Sequence, residues 1–241
     1  MSSLGPTSTA AEVLAHLHSL ASEENRQGMK RYGIKIDHAL GISHGVKRQI
    51  AKAVKCNHSR AFELWKSGIM EARFIASVTA DPKLFTAENA RDWAAEFDSW
   101  DIVDGVADLF VDCDAWHSLI FEFAADGREF VRRTAFAMMA WASVHRKKEP
   151  DATFLGFFPI MEEYASDIRN FVWKAVSWAL RSIGKRSMQL NEAAILLAER
   201  LTASTSQSAR RIGREAFKEL SADKTQAAIL RRTENRAKRR G

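Results

Sequence analysis

The stretch that best decides the fold is residues 99–110, SWDIVDGVADLF. Its apolar side chains recur at helical spacing, at Ile102, Val103, Val106, Leu109 and Phe110. This spacing predicts an amphipathic α-helix with one apolar face. On such a helix Trp100 and Asp104, four residues apart, share a face. An indole beside a carboxylate is a combination that can contact a nucleotide and stabilise a developing positive charge.

The same helical periodicity extends along the chain in both directions, and no stretch alternates convincingly like a strand. Further helical segments are predicted from about residues 10, 43, 59, 70 and 86, and over 115–125, 128–145, 151–165, 167–185, 189–203 and 205–219. Starts near 43, 86, 128 and 167 are roughly 40 residues apart, which is typical of HEAT-like helix pairs. The pattern favours an all-α fold, a curved α-α superhelix (solenoid) of HEAT-like repeats. An irregular helical bundle is the alternative.

Composition divides the chain into three parts. Residues 1–9 are mostly small and polar, and we expect them to be disordered. Residues 10–221 are predicted to form a single HEAT-like repeat domain. Residues 222–241 are predicted to be a basic C-terminal tail, with six Lys or Arg in positions 231–240. Charge alone leaves open whether this tail grasps DNA or is simply solvated.

The net charge of +6 is distributed unevenly. Residues 180–241 hold 15 Lys and Arg against 6 Asp and Glu, whereas the first 179 residues hold 21 against 24. A basic block on a slightly acidic body favours nucleic acid as the partner.

Several classes of protein are disfavoured by what the sequence lacks. Two cysteines, Cys56 and Cys113, lie far apart and form neither a zinc-ligand pattern nor a disulfide framework, which fits a reducing cytosol. No apolar run reaches about 18 residues, so no transmembrane helix is expected, and no signal sequence is recognised. Phosphate-loop, dinucleotide and Ser-His-Asp patterns are missing as well.

A basic face is predicted on the helix over residues 171–185. Its apolar stripe comprises Val172, Val176, Leu180 and Ile183, and a second face carries Lys174, Trp178, Arg181 and Lys185. Cations around an indole suit a phosphate-lined surface. The alternative is that Trp178 packs against the next helix under lysine stems. Arg133, in the helix over 128–145, is a weaker candidate for a phosphate contact, because a solvated arginine pair Arg132-Arg133 is common.

Four ordered motifs resemble the DNA alkylation repair family, the AlkD-like HEAT-repeat DNA glycosylases. They are residues 29–43, with MKRYG leading to LGIS, then SWDIVD at 99–104, FVRRTA at 130–135 and FVWKAVSWALR at 171–181. The resemblance spans about residues 25–220. It implies a curved stack of HEAT-like repeats with DNA in the concave cleft, and excision of cationic N3- and N7-alkylated purines by hydrolysis of the N-glycosidic bond.

The resemblance also implies residue roles. Trp100 and Trp178 correspond to the aromatic walls, Asp104 to the catalytic carboxylate, and Arg133 to a contact with the DNA backbone. No metal or organic cofactor is implied. The expected partner is double-stranded DNA with alkylated bases, and no membrane association is expected. We expect a cytoplasmic monomer that is associated with the nucleoid when it is bound to DNA.

The chain departs from the family pattern at Ser99, where active relatives often carry a second tryptophan, and at Phe130, where tryptophan is frequent. Members of the superfamily that keep the fold without base excision make a second function possible. The alternative is therefore a catalytically inactive HEAT-repeat protein that recognises bent or branched DNA. A protein-binding scaffold is a third reading, since helical repeats often serve that role.

Overall fold

The computed structural model describes residues 4–238, and these residues form helices joined by turns, with no strand among them. The all-α prediction is therefore confirmed over the described part of the chain. The chain divides into two compact units, Met1–Trp116 and His117–Gly241. The single HEAT-like repeat domain over residues 10–221 stays a prediction.

The first unit is built around α5. Its helices are α1 (Ala10–Ser19), α2 (Glu23–Met29), a short 3-10 turn (Lys30–Tyr32), α3 (His44–Val54), α4 (His58–Lys66), α5 (Met70–Thr79), α6 (Ala87–Ala95) and α7 (Trp100–Asp112). Helix α5 packs against α3, α4 and α7. The side chains of Ser43 and Thr86 cap α3 and α6 by accepting backbone N–H bonds three residues ahead, as their positions in the sequence predicted.

The second unit is built around α12. From the boundary residue onward, the helices are α8 (Trp116–Ala125), α9 (Glu129–His145), α10 (Asp151–Leu155), α11 (Phe158–Tyr164), α12 (Asn170–Gly184), α13 (Met188–Thr202), α14 (Gln207–Leu220) and α15 (Asp223–Lys238). Helix α12 packs along α9 on one side and against α13 and α14 on the other. Its predicted apolar stripe is confirmed, because Val172, Val176, Leu180 and Ile183 are fully buried.

Two helices of the second unit begin in the same way. Before α9, Asp126 accepts hydrogen bonds from the backbone and side chain of Arg128, and before α12, Asp167 does so from Arg169. A carboxylate that binds the backbone two residues ahead forms a tight turn, and the paired guanidinium strengthens it. Asp167 also accepts a bond of 2.9 Å from Arg132 of α9, so this turn ties α12 to its neighbour.

Two expectations about chain segments need correction, and a third, the basic C-terminal tail, stays a prediction. Residues 4–9 are not disordered, since the buried Arg60 guanidinium donates hydrogen bonds to the carbonyl oxygens of Pro6 and Ser8, and Thr9 caps α1. Residues 1–3, also expected to be disordered, lie outside the described residues. The predicted tail forms α15 up to Lys238, and its last residues, 239–241, lie outside as well. The segment over 151–165 is two short helices rather than one, broken at Gly156-Phe157.

Candidate functional site

Helix α7 presents a half-exposed strip along one side. Trp100, Asp101, Asp104, Gly105 and Asp108 are partly accessible, whereas the positions between them are buried. Trp100 and Asp104 therefore share a face, as their spacing predicted. The strip is rich in carboxylates, because Asp101 and Asp108 flank the predicted catalytic acid, and neither was predicted from the sequence as a site residue.

The indole of Trp100 is fixed at its polar end. Its Nε1–H donates a 3.0 Å hydrogen bond to the main-chain carbonyl oxygen of Tyr32, which follows α2 in the 3-10 turn. The ring is only partly buried, so Trp100 is not a core residue. With its N–H bonded to the main chain, the indole keeps a defined orientation and still presents accessible surface.

A basic cluster on α3 lies near this strip. Lys47 places its Nζ 4.7 Å from the centre of the Phe74 ring, which the His44 ring also contacts at 4.7 Å. Arg48 donates a 2.8 Å hydrogen bond to Nε2 of His44, which requires that nitrogen to be unprotonated. Burial lowers the pKa of His44, and the charges of Lys47 and Arg48 lower it further, while Asp101 of the strip opposes them.

Ser99 does not belong to the accessible strip. The residue is 1% exposed, its side chain does not cap α7, and its hydroxyl has no hydrogen-bond partner among residues 4–238. A side chain at position 99 therefore points into packed protein. The departure from the family pattern at Ser99 changes the support beneath the strip and leaves the accessible surface of the strip itself in place.

In the second unit, α12 carries the predicted basic face. Lys174 is exposed, and Trp178, Arg181 and Lys185 are partly buried. Trp178 meets Trp141 of α9 edge to face, with ring centres 6.0 Å apart and an interplanar angle of 80°. Trp178 therefore packs on the neighbouring helix with one side and keeps another side accessible, and its contact with DNA stays a prediction.

Two of the predicted cations are held by one carboxylate. Arg181 Nη1 and Lys185 Nζ each donate a 2.7 Å hydrogen bond to Glu219 of α14. Burial alone would raise the pKa of Glu219, but the bonds from Lys185 and Arg181 outweigh that effect and lower it. The three side chains carry a net charge of +1, so this part of the face is less positive than the sequence pattern suggested.

Arg133 is placed differently from the prediction. Its residue is 6% exposed, and its Nη1 donates a 2.6 Å hydrogen bond to the carbonyl oxygen of Phe171 at the start of α12. A guanidinium that lies between helices and bonds to a backbone carbonyl oxygen has little surface left for a phosphate. Arg133 therefore ties α9 to α12, which disfavours the expected contact with the DNA backbone.

A second group of cations, on α14, was not predicted from the sequence. Arg211 lies over the Trp173 ring of α12, with its guanidinium carbon 4.4 Å from the ring centre, and it also pairs with Glu215. Arg214, one turn further, is exposed. The signal was present as the spacing Arg210, Arg211 and Arg214, which puts three guanidiniums near one side of a helix.

Within residues 4–238, no group of three or more His, Cys, Asp and Glu side chains is arranged to hold a metal ion. In that same part of the chain, every helix is too short or too polar to cross a membrane.

The sequence model of the family described as DNA alkylation repair enzyme matches residues 13–233. A search of curated proteins finds no match. One solved structure that the chain resembles comes from a family of proteins related to the HEAT-like repeat DNA glycosylases with affinity for branched DNA structures. It is 18% identical, with 80% of this chain and 83% of that chain covered at a TM-score of 0.71. A designed armadillo repeat protein is also similar, at 13% identity, 73% and 92% coverage and a TM-score of 0.36. The first likeness confirms the predicted HEAT-like repeat fold.

Proposed function

This chain belongs to the DNA alkylation repair enzyme family, and from that premise we propose that it excises cationic N3- and N7-alkylated purines from double-stranded DNA. The reaction is hydrolysis of the N-glycosidic bond, which leaves an abasic site. An N7-alkylpurine already carries a positive charge, so it departs without a strong general acid. The protein then has to stabilise the deoxyribose, which becomes oxocarbenium-like as the bond breaks.

Asp104 is the residue we assign to that task. An ionised carboxylate beside the sugar stabilises the growing positive charge and can orient the attacking water. Trp100 lies on the same face of α7, partly accessible and with its N–H bonded to Tyr32, and we assign its ring a contact with the sugar. We assign Trp178 of α12 the corresponding role for a second aromatic wall.

DNA binding rests on the cations. In this proposal Lys174, Arg181 and Lys185 contact the phosphate backbone from α12, and the exposed Arg48 does so from α3. Arg133 holds α12 in place rather than binding phosphate, since its guanidinium bonds to Phe171. We also propose that the protein acts as a monomer and lies in the cytoplasm, associated with the nucleoid when it is bound to DNA.

The observation that carries this proposal is the half-exposed strip on which Trp100 and Asp104 lie together, in a chain of an alkylation repair family. The test is single-turnover release of 7-methylguanine and 3-methyladenine from methylated duplex DNA. We expect Asp104→Asn to lower the rate by roughly a hundredfold or more, while DNA affinity changes less than about twofold.

Asp108→Asn is the matched control, because Asp108 occupies the same strip one turn further along α7. It should retain most of the wild-type rate. Equal losses in the two variants would mean that the acidity of the strip matters and not Asp104 itself. Release of no free base by the wild-type protein would refute the glycosylase proposal.

A second function has one observation in its favour. The similar solved structure belongs to a family with affinity for branched DNA, and the chain carries basic faces on α12 and α14. A catalytically inactive protein that binds bent or branched DNA would show affinity for a four-way junction well above its affinity for linear duplex. Binding should weaken with salt, and no base should be released. Equal affinity for the two DNA forms would count against this second function.

A further inference from the structure

A buried carboxylate in the first unit has no role in the function proposed above. Glu71, on α5, is 0% exposed. Its oxygens accept three backbone N–H bonds, from Leu40 at 2.9 Å, Gly41 at 2.9 Å and Ile42 at 3.2 Å. A buried charge is stable only when its hydrogen-bonding capacity is satisfied, and these three donors supply that. Glu71 therefore holds the turn at residues 40–42 firmly against α5.

This turn is in direct contact with the start of α2. The carbonyl oxygen of Leu40 accepts a 2.8 Å bond from the backbone of Ser22, the residue that caps α2. Gly41 has a φ of +79°, and a Cβ at that position would lie 2.3 Å from the Ser22 carbonyl oxygen and 2.7 Å from the Arg26 nitrogen. Only glycine combines this backbone conformation with so close an approach. The position of α2 is therefore set by the turn that Glu71 holds.

Helix α2 is followed directly by the 3-10 turn that contains Tyr32, whose carbonyl oxygen accepts the bond from Trp100. After α2 the chain makes the 3-10 turn and ends it at Gly33, whose φ is +71°. Met29 and Ile34, on either side of that turn, pack against a small core that includes Met70, the neighbour of Glu71 on α5. The Tyr32 carbonyl oxygen between them accepts the 3.0 Å bond from the Trp100 indole.

Helix α5 also supports α7 from the other side. Ser77 Oγ donates a 3.1 Å bond to the carbonyl oxygen of Gly105, and a Cβ at Gly105 would lie 3.2 Å from the Phe74 ring. Helix α5 thus contacts both the segment that accepts the Trp100 N–H bond and α7, the helix from which Trp100 projects. We expect a change at Glu71 to displace the first of these supports and to leave the bond from Ser77 to Gly105 in place.

We infer that Glu71 is a positioning residue for the Trp100 indole, acting through residues 22–42. It touches neither the DNA nor the sugar, and its carboxylate fixes the carbonyl group to which the aromatic wall is bonded. This inference rests on the proposed function, because it concerns the wall of that site. It predicts that Glu71 matters to excision only as long as Trp100 is present.

The test is a double-mutant cycle on the full chain, with Glu71→Gln and Trp100→Ala alone and combined, measured by single-turnover base release. A glutamine keeps the shape of Glu71 but turns an NH2 group toward backbone donors. We expect Glu71→Gln to lower the rate about tenfold in the wild-type background, with DNA affinity within about twofold, and to change it less than about twofold in the Trp100→Ala background. Glu63→Gln, an exposed carboxylate on α4, is the matched control and should have no effect in either background.

A second readout does not depend on activity. The Trp100 indole N–H resonance, identified by its loss in Trp100→Phe, reports on the bond to Tyr32. We expect its hydrogen exchange to become at least about tenfold faster in Glu71→Gln and to stay unchanged in Glu63→Gln. If Glu71→Gln does not fold, Ile34→Ala takes its place in both experiments, since it loosens the same segment and leaves the carboxylate intact.

The outcomes separate the two proposals. If Trp100→Ala has no effect on base release, or if the wild-type protein releases none, the proposed function fails. If Trp100→Ala slows excision but Glu71→Gln slows it by the same factor in both backgrounds, the function stands and the positioning role is overturned. An unchanged exchange rate of the indole N–H in the folded Glu71→Gln or Ile34→Ala variant would likewise overturn it.

Discussion

Helices α7 and α12 carry the same arrangement with opposite charge. On α7, Trp100 is accompanied along the helix by Asp101, Asp104 and Asp108, and on α12, Trp178 is accompanied by Lys174, Arg181 and Lys185. The two indoles are held differently. That of Trp100 bonds to a main-chain carbonyl oxygen, and that of Trp178 packs edge to face on another tryptophan.

The contacts that hold the side chains of the two helices in place also differ. The α12 face is braced by carboxylates at both ends, by Asp167 at the start of the helix and by Glu219 beside Arg181 and Lys185. An ion pair fixes the position of a cationic side chain but cancels its charge. A hydrogen bond to the main chain fixes a side chain and leaves the charge of the surface unchanged. Under the proposed function, α7 acts on a cation and α12 holds a polyanion.

Removing the positive charge of the α12 face should have the largest effect, and that effect is on DNA affinity. The triple variant Lys174→Gln, Arg181→Gln and Lys185→Gln should weaken binding roughly ten- to hundredfold and reduce the slope of log affinity against log salt by about two to three. Base release at saturating protein should change little, because the carboxylate strip is untouched. Fluorescence anisotropy at several salt concentrations measures the affinity and its dependence on salt.

The control for that variant is another triple change of equal charge, at exposed lysines of the first unit: Lys52→Gln, Lys66→Gln and Lys83→Gln. If both triples weaken binding equally, general attraction to DNA accounts for the result. The α12 face would then have no specific part in binding.

A smaller effect is expected from the carboxylate that braces the start of α12. Burial alone would raise the pKa of Asp167, but hydrogen bonds from Arg169 and Arg132 outweigh it and lower the pKa from 3.8 to about 2. The folded state therefore keeps this group ionised where the unfolded state protonates it. The stability so gained is complete above about pH 4 and is lost as the pH falls toward 2.

Asp167→Asn should accordingly lower the free energy of unfolding at pH 7 by about 1 to 2 kcal/mol, after allowance for solvent screening. It should also flatten the pH dependence between about pH 4 and 2. Urea unfolding at several pH values measures both quantities. Asp126→Asn is the natural comparison, because Asp126 forms the same turn before α9 by pairing with Arg128, whereas Asp167 also accepts the bond from Arg132. Equal losses in the two variants would show that the link to Arg132 contributes nothing.

The smallest effect is expected at Glu219. Glu219→Gln leaves Arg181 and Lys185 without their shared carboxylate, so the local charge rises from +1 to +2. DNA affinity at low salt should increase about threefold, and the difference should shrink as salt is added. A loss of affinity would mean that Glu219 serves mainly to orient the two cations. In that case its effect on charge would be secondary.

The helices themselves could be predicted from the sequence because their burial repeats locally. The stripe of Val172, Val176 and Leu180 followed from spacing alone, and starts near Ser43 and Thr86 followed from capping chemistry. Periodicity reports which side of a helix is apolar. It carries no information about which distant segment covers that side.

That limit explains what could not be predicted about the site. Arg133 reads as a surface cation until the carbonyl oxygen of Phe171, 38 residues away, is seen beside it. Glu71 and its turn are separated by about 30 residues, and no local pattern links them. The roles of Trp100, Asp104 and Trp178 came from the family motifs and remain predictions that the variants above can test.

The contact between Arg60 and the first residues of the chain has a practical consequence. Its guanidinium is buried and divides its bonds among the carbonyl oxygens of Pro6, Ser8, Val54 and Lys55. An expression clone trimmed to begin at Ala10, which the sequence alone would recommend, removes half of those acceptors. It also deletes Thr9, which caps α1. Removing the residues before Ala10 to improve crystal order would therefore loosen the packing of the first unit around Arg60. Purification tags are better attached ahead of the complete N-terminal segment.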